Sequence, residues 1–332
     1  MLFWESQRQA KFKTALYLAV FFILTITAAT LAELAMRHFS GPEYSADGTP
    51  YVAIGFLIIT LGAAGFNYMN YSQFGGGYVA ESMGARLVSG RPRSQKELQL
   101  LNIVEEMSVA TSLPIPPVYI LDADEINAFA AGTNPQNAAV TVTRGCLNLL
   151  NRDELQGVLA HEFGHIYNRD MTIGMRVAAM IMGFFIISAI GLRLLQGNMY
   201  FGSSWRDNEG DSEDRRGGNP IVLLALIFLV LGSLTWFFGS ILQAMVSRQR
   251  EFLADACSVQ YTRNPQGIAN ALRKIATAHI SDMPRTGKPF AHLYFNEQAS
   301  FWSRLFATHP SINARLKAIE GDSYTKIDSP LD

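Results

Sequence analysis

Two histidines four residues apart with a glutamate between them, His161-Glu162-Phe163-Gly164-His165, are the residues of this sequence best spaced to do chemistry. On an α-helix, positions four apart share a face, so both imidazoles can reach one metal ion. Glu162 then sits to one side, placed to meet a water rather than the ion itself. That arrangement suits hydrolysis assisted by Zn2+. Three fixed identities in five residues also recur by chance as polar groups on a solvated or core face, so the surroundings must decide.

The surroundings predict a helix. Asn151 reads as its N-cap, Glu154 can reach back from the third position, and acid occupies the first turn. Leu155, Val158, Leu159, Phe163 and Ile166 keep helical spacing on one side, and the pattern continues directly into an apolar run.

A hydrolytic zinc centre needs three protein ligands and an open position. His38, His279, His292, His309 and the carboxylates are the remaining candidates. His38 lies beside the first apolar run, on the far side of a membrane from the motif, and is set aside. Glu251 is the best third ligand. Glu251 and Asp255 are four apart on one helical face, so one carboxylate can bind the ion while the other holds a ligand histidine's free N–H. From spacing alone, a surface ladder with Arg248 and Arg250 is an equally good reading.

The chain has 332 residues, 49% hydrophobic and only 17% charged, with a net charge of −1. No basic footprint points to nucleic acid. The two cysteines, Cys146 and Cys257, make no disulfide framework and read as reduced packing residues. Low charge traces to four apolar runs: Thr14–Ala32, Tyr51–Met69, Val177–Leu192 and Ile221–Val246. The third has only 16 residues, but Arg176 and Arg193 flank it and can reach the headgroups. Four spans are expected. The first is too long for a signal peptide's apolar core and reads as an anchor.

Arg8, Lys11 and Lys13 precede span one, and Arg86, Arg91, Arg93 and Lys96 follow span two, whereas the loop between them carries only Arg37. This places both termini and the metal site in the cytoplasm. The loop after span three, with Arg193, Arg206, Arg215 and Arg216, dissents. Two crossings separate His165 from Glu251, so both can meet on one side. Charges around the motif (Arg152, Asp153, Glu154, Arg169, Asp170) argue for the membrane surface rather than its interior.

Elsewhere, Phe74-Gly75-Gly76-Gly77-Tyr78 reads as a flexible joint. Ser94 to Glu97 reads as a capping box, opening a helix that buries Leu98, Leu101, Val104 and Met107. Val118–Leu121, Asn127–Ala131 and Ala138–Thr143 read as strands. Arg206–Asn219 reads as disordered, Pro265 opens a helix through Ile268, Leu272 and Ile275, and the last helix runs through Ile312, Leu316 and Ile319 to Gly321.

His161-Glu162-x-x-His165, Glu251-x-x-x-Asp255, Asn127-Ala128-Phe129-Ala130 and Thr308-His309-Pro310 occur in the chain around four apolar runs. The chain resembles, over about residues 75 to 320, the HtpX-type membrane-integrated zinc metalloproteases and more distantly the CAAX prenyl proteases. The resemblance implies a mainly α, α+β fold: a zincin-like metalloprotease domain with a small β-sheet, integrated with four transmembrane helices. The expected divisions are 1–73 (spans one and two), 74–172 (first part of the protease domain), 173–246 (spans three and four with their charged loop) and 247–332 (its second part).

It further implies that His161, His165 and Glu251 hold one zinc ion and that Glu162 is the catalytic base. Asp255 would orient a ligand histidine, and His309 would steady the transition state unless it only caps the last helix. Asn127, Ala128, Phe129 and Ala130 would form an edge that pairs with an extended substrate. Arg315 matches a basic position in these proteins without an evident role. Expected partners are protein substrates, misfolded or damaged membrane proteins of the bacterial inner membrane, and the bilayer. A zinc-binding membrane scaffold without turnover stays open, though a structural site has no use for Glu162. A prenyl-protein processor would call for more spans.

Overall fold

A computed structural model describes residues 3–40, 44, 46–88, 90, 92–201, 220–277 and 309–327. The chain divides into two compact units. The first contains Met1–Ala10, Tyr68–Ala178 and Ile241–Asp332; the second contains Lys11–Asn67 and Ala179–Ser240.

The elements, in order, are helices α1 (Phe3–Ser40) and α2 (Tyr51–Ser82), strand β1 (Arg86–Leu87), α3 (Gln95–Thr111), β2 (Val118–Leu121), β3 (Ala128–Ala131), a 3-10 turn (Pro135–Asn137) and β4 (Ala139–Thr143). Helices α4 (Arg144–Leu149), α5 (Arg152–Asn168), α6 (Asp170–Phe201), α7 (Pro220–Thr262), α8 (Pro265–Thr277) and α9 (Ile312–Glu320) follow. Arg206–Asn219 lies outside the described residues.

In the first unit the sheet order is β1-β2-β4-β3. Strand β2 runs parallel to β4, with Val118 opposite Val140, and β3 runs antiparallel to it, with Phe129 opposite Thr141. Strand β3 is therefore an edge among the described strands. The core lies between this sheet and α3, α5, α8 and α9, and every apolar residue assigned to the inner face of α5 is buried in it. Burial of such a stripe, not intrinsic propensity, holds a helix of this length.

Three local readings are corrected here. Helix α3 buries Leu100, Ile103, Val104 and Met107, leaving Leu98 at 40% exposure, because α5 packs on a face rotated from the expected one. Ser94 caps it, accepting from Glu97 N (3.2 Å), but Glu97 makes no return bond to Ser94. Its carboxylate instead accepts from Arg93 N and pairs with Arg86, both at 2.7 Å.

The triple glycine is a packed kink rather than a loose joint. Gly75 turns at φ 66°, inside α2. A Cβ on Gly76 would lie 2.1 Å from Ala131 O and 2.6 Å from Ala139 N. Only glycine lets this backbone lie against the end of the β3–β4 pair.

In the second unit, Phe21 stacks on Phe184 at 4.6 Å and Phe56 meets Phe228 edge-on at 5.9 Å. Helix α1 continues past the apolar run because Glu33, 5% exposed, is satisfied there. It accepts from Val52 N, Ala53 N, Arg37 and Tyr44, supplying the first N–H groups of α2 with a carboxylate. Among the described residues, four helices are long and apolar enough to cross a membrane, over Ala19–Ser40, Tyr51–Ser82, Asp170–Asn198 and Pro220–Ile241. The third apolar run, short by composition, sits in a helix of 32 residues, which at about 1.5 Å per residue exceeds a hydrocarbon core of roughly 30 Å.

Candidate metal centre

Helix α5 is fixed at its start by the capping box expected of it. Asn151 Oδ1 accepts from Glu154 N (2.9 Å), Glu154 Oε2 accepts from Asn151 N (2.8 Å), and Lys274 pairs with that carboxylate at 2.6 Å. Two turns on, His161 and Glu162 are buried and His165 is partly so. Gly164, between them, lets α7 approach closely: a Cβ there would be 3.0 Å from Cys257 Cβ. This brings Glu251, one residue of α7 that sequence could not separate from a surface ladder, to 2% exposure beside both histidines.

His161 Nε2 and His165 Nε2 are 3.2 Å apart. Glu251 places Oε2 3.5 Å from the first and Oε1 3.4 Å from the second. Donors arranged tetrahedrally at about 2.0–2.1 Å from one ion stand about 3.3–3.4 Å from each other. The three side chains therefore have the donor types and the spacing to hold a metal ion. Burial opposes ionisation of Glu251, but His309, His161 and His165 outweigh it and hold its carboxyl well below the usual range.

Each of the two histidines is gripped from behind by a carboxylate that an arginine backs in turn. Asp255 Oδ1 lies 2.9 Å from His161 Nδ1. Arg315, 1% exposed, donates to Asp255 through Nη2 (2.6 Å) and Nε (2.9 Å), and its Nη1 is 3.3 Å from Glu251 Oε2. Asp170 Oδ2 lies 3.2 Å from His165 Nδ1, and Arg250 Nη1 pairs with Asp170 Oδ1 at 3.0 Å. Partners of this kind fix the tautomer and the ring plane of a metal-binding histidine. Burial pushes Asp255 up, but the Arg315 guanidinium and His161 prevail and hold it at about 2.

The roles of Asp170, Arg250 and Arg315 were not foreseen from sequence. Asp170 reaches His165 because α5 does not run straight into α6. Arg169 adopts a left-handed conformation (φ 59°), its N–H closing on His165 O and Ile166 O. This break swings Asp170 back toward the motif, and an arginine gives no local signal for such a turn.

Glu162 lies apart from the donor triangle. Its Oε2 accepts from Ala130 N at 2.9 Å, a bond directed off the edge of β3. Burial pushes its carboxyl up, against the pull of His161 and His165. A carboxyl raised in this way is a better proton acceptor than a free one.

His309 places Nδ1 2.5 Å from Glu251 Oε2. Ala128, Phe129, Ala130, Glu162, His165 and His309 all line one cleft. Asn127 does not line it. It is 1% exposed, its backbone tied to Thr143, and Cys146 Sγ donates to its carbonyl. Both cysteines are free and buried.

Residues 94–323 match peptidase family M48. A protein named protease HtpX homolog from Streptococcus uberis is 35% identical over 286 residues, 81% of this chain and 93% of that one. Another so named, from Thermoanaerobacter pseudethanolicus, is 36% identical over 267 residues, 80% of this chain and 84% of that one. A crystal structure of S. mikatae Ste24p aligns with a TM-score of 0.51 at 16% identity, covering 95% of this chain and 67% of that one, a likeness of fold.

Proposed function

The chain belongs to peptidase family M48 and is an integral-membrane metalloprotease, and from that premise we propose that its metal is one zinc ion held by His161, His165 and Glu251. We further propose that it cuts misfolded or damaged membrane proteins at the cytoplasmic face of a bacterial inner membrane. The observation that supports the zinc assignment is the convergence of two histidine nitrogens 3.2 Å apart, each with one oxygen of the Glu251 carboxylate at 3.4–3.5 Å.

The ion's contribution is Lewis acidity, which polarises the scissile carbonyl and acidifies a water. Glu162 takes the proton of that water as its oxygen attacks the carbonyl carbon. When the C–N bond breaks, Glu162 returns the proton to the departing amine. His309, in the same cleft, donates to the developing oxyanion. Strand β3 receives the substrate by main-chain pairing at its open edge, which tolerates many sequences and suits damaged proteins. Asp255 and Asp170 keep the two ligand rings in place.

Removing metal tests the zinc reading. Protein stripped with a strong chelator should lose cleavage of an unfolded polypeptide, and one equivalent of Zn2+ should restore it. Stripped protein that still cleaves would end the assignment. The cytoplasmic orientation is supported by the basic residues before the first apolar run and after α2. Single cysteines placed near residue 8 and in the described stretch after α2 should react with an impermeant thiol reagent only after the membrane is opened. Labelling of both in intact spheroplasts would reverse the orientation.

A further inference from the structure

The cleft beside Glu162 is walled by more than catalytic groups. It holds about 680 Å³ of empty space, its open mouth included. The backbone of β3 and Phe129 contribute to its lining, and so do Met171, Gly174 and Val177 of α6 and Gln243 of α7. Positions 171, 174 and 177 fall on one stripe of α6. The middle one has no side chain.

Gly174 is in ordinary helix, and a Cβ there would meet nothing within 4 Å. Neither a turn nor a close backbone contact explains it, in contrast to Gly76, and glycine weakens a helix relative to alanine. What it provides is room, between the buried apolar side chains of Met171 and Val177. Gln243 supplies the second observation. Its Nε2 is buried and has no hydrogen-bond partner among the described residues. Buried donors are satisfied in nearly all proteins, and Gln243 also lines the cleft, so turning its amide toward the opening would give this donor an acceptor on a ligand.

We propose that this corner of the cleft takes a bulky apolar side chain next to the scissile bond, with Gly174 setting the size admitted and Gln243 Nε2 donating to a peptide carbonyl of the substrate. The proposal rests on the peptidase reading and adds a selectivity to it. Main-chain pairing along β3 holds many sequences alike, whereas this pocket discriminates among them. Exposed leucine, phenylalanine and methionine side chains mark a damaged protein, and they are the ones the pocket fits.

The full-length, zinc-loaded protein in detergent is given an unfolded polypeptide, and the cut sites are read by mass spectrometry. Wild type should favour large apolar residues at one position flanking the cut. In Gly174→Leu the ratio of bulky to small residues there should fall by about tenfold or more, a change typical of refilled apolar pockets. Gln243→Leu should raise KM by about fivefold at equal zinc content, the mark of a binding contact shared by ground and transition states. An unchanged profile in Gly174→Leu, or no apolar preference in wild type, overturns the pocket.

Gly174→Ala, a better helix former, should move the profile part of the way and guards against misfolding of the larger variant. If loaded wild type cuts nothing, the peptidase reading itself fails. The pocket is then judged by polypeptide binding to Glu162→Gln protein with and without Gly174→Leu, where equal affinities would reject it.

Discussion

Replacing Glu162 with glutamine is expected to slow peptide cleavage by about 10²–10⁴-fold, the usual worth of a positioned proton carrier, while bound metal stays at the wild-type level. The structure explains why the two effects should separate. Glu162 is not among the three donors, so the ion loses no ligand. Glutamine keeps an oxygen for the Ala130 N–H, so the local fold retains its hydrogen bond. What disappears is the ability to carry a proton between water and amine. Turnover within about threefold of wild type would remove Glu162 from the mechanism, and loss of metal together with activity would recast it as a structural residue.

The second large effect concerns Arg315. Exchanging it for methionine should destabilise the first unit by about 3–5 kcal/mol, as expected when one member of a buried ion pair is removed. Asp255 and Glu251 would then share a dry site without the cation that now offsets them. Zinc affinity should fall as well, because Asp255 would hold His161 less firmly. Lysine keeps the charge but cannot reproduce the two-pronged contact, so it should restore the variant only in part. Denaturant unfolding and competition with a zinc dye would measure both quantities. Wild-type values for each in the methionine variant would show the ion pair to be idle.

The sign of the pH effect follows from Asp255. Its folded carboxyl, at about 2, lies below its ordinary 3.8. The stabilisation is complete above that ordinary value and is lost as the pH falls through about 2, so neutral solutions leave this pair fully formed.

Much of the centre was legible because its parts obey helical spacing. His161 and His165 on α5, and Glu251 and Asp255 on α7, are each four apart. Strands β2, β3 and β4 were readable within a residue, since β-branched and apolar runs ended at proline, glycine and asparagine, whereas the two-residue β1 was not. The arginines were not legible. Arg315 meets Asp255 across 60 residues of chain, and nothing local distinguishes a buried guanidinium from a solvated one. Asp170 was hidden by one left-handed arginine. The glycines misled for a related reason: sequence shows that a backbone is permitted to bend, not whether another strand lies against it.

The bond from Ala130 to Glu162 has a consequence for where cuts fall. A substrate strand added to β3 can slide only in steps of two residues without turning its side chains over, about 7 Å each. Because Glu162 is pinned to that same strand, registers reached by sliding are spaced by dipeptides relative to it. An unfolded chain held here would thus have to leave β3 and turn over before the intervening bonds could be presented.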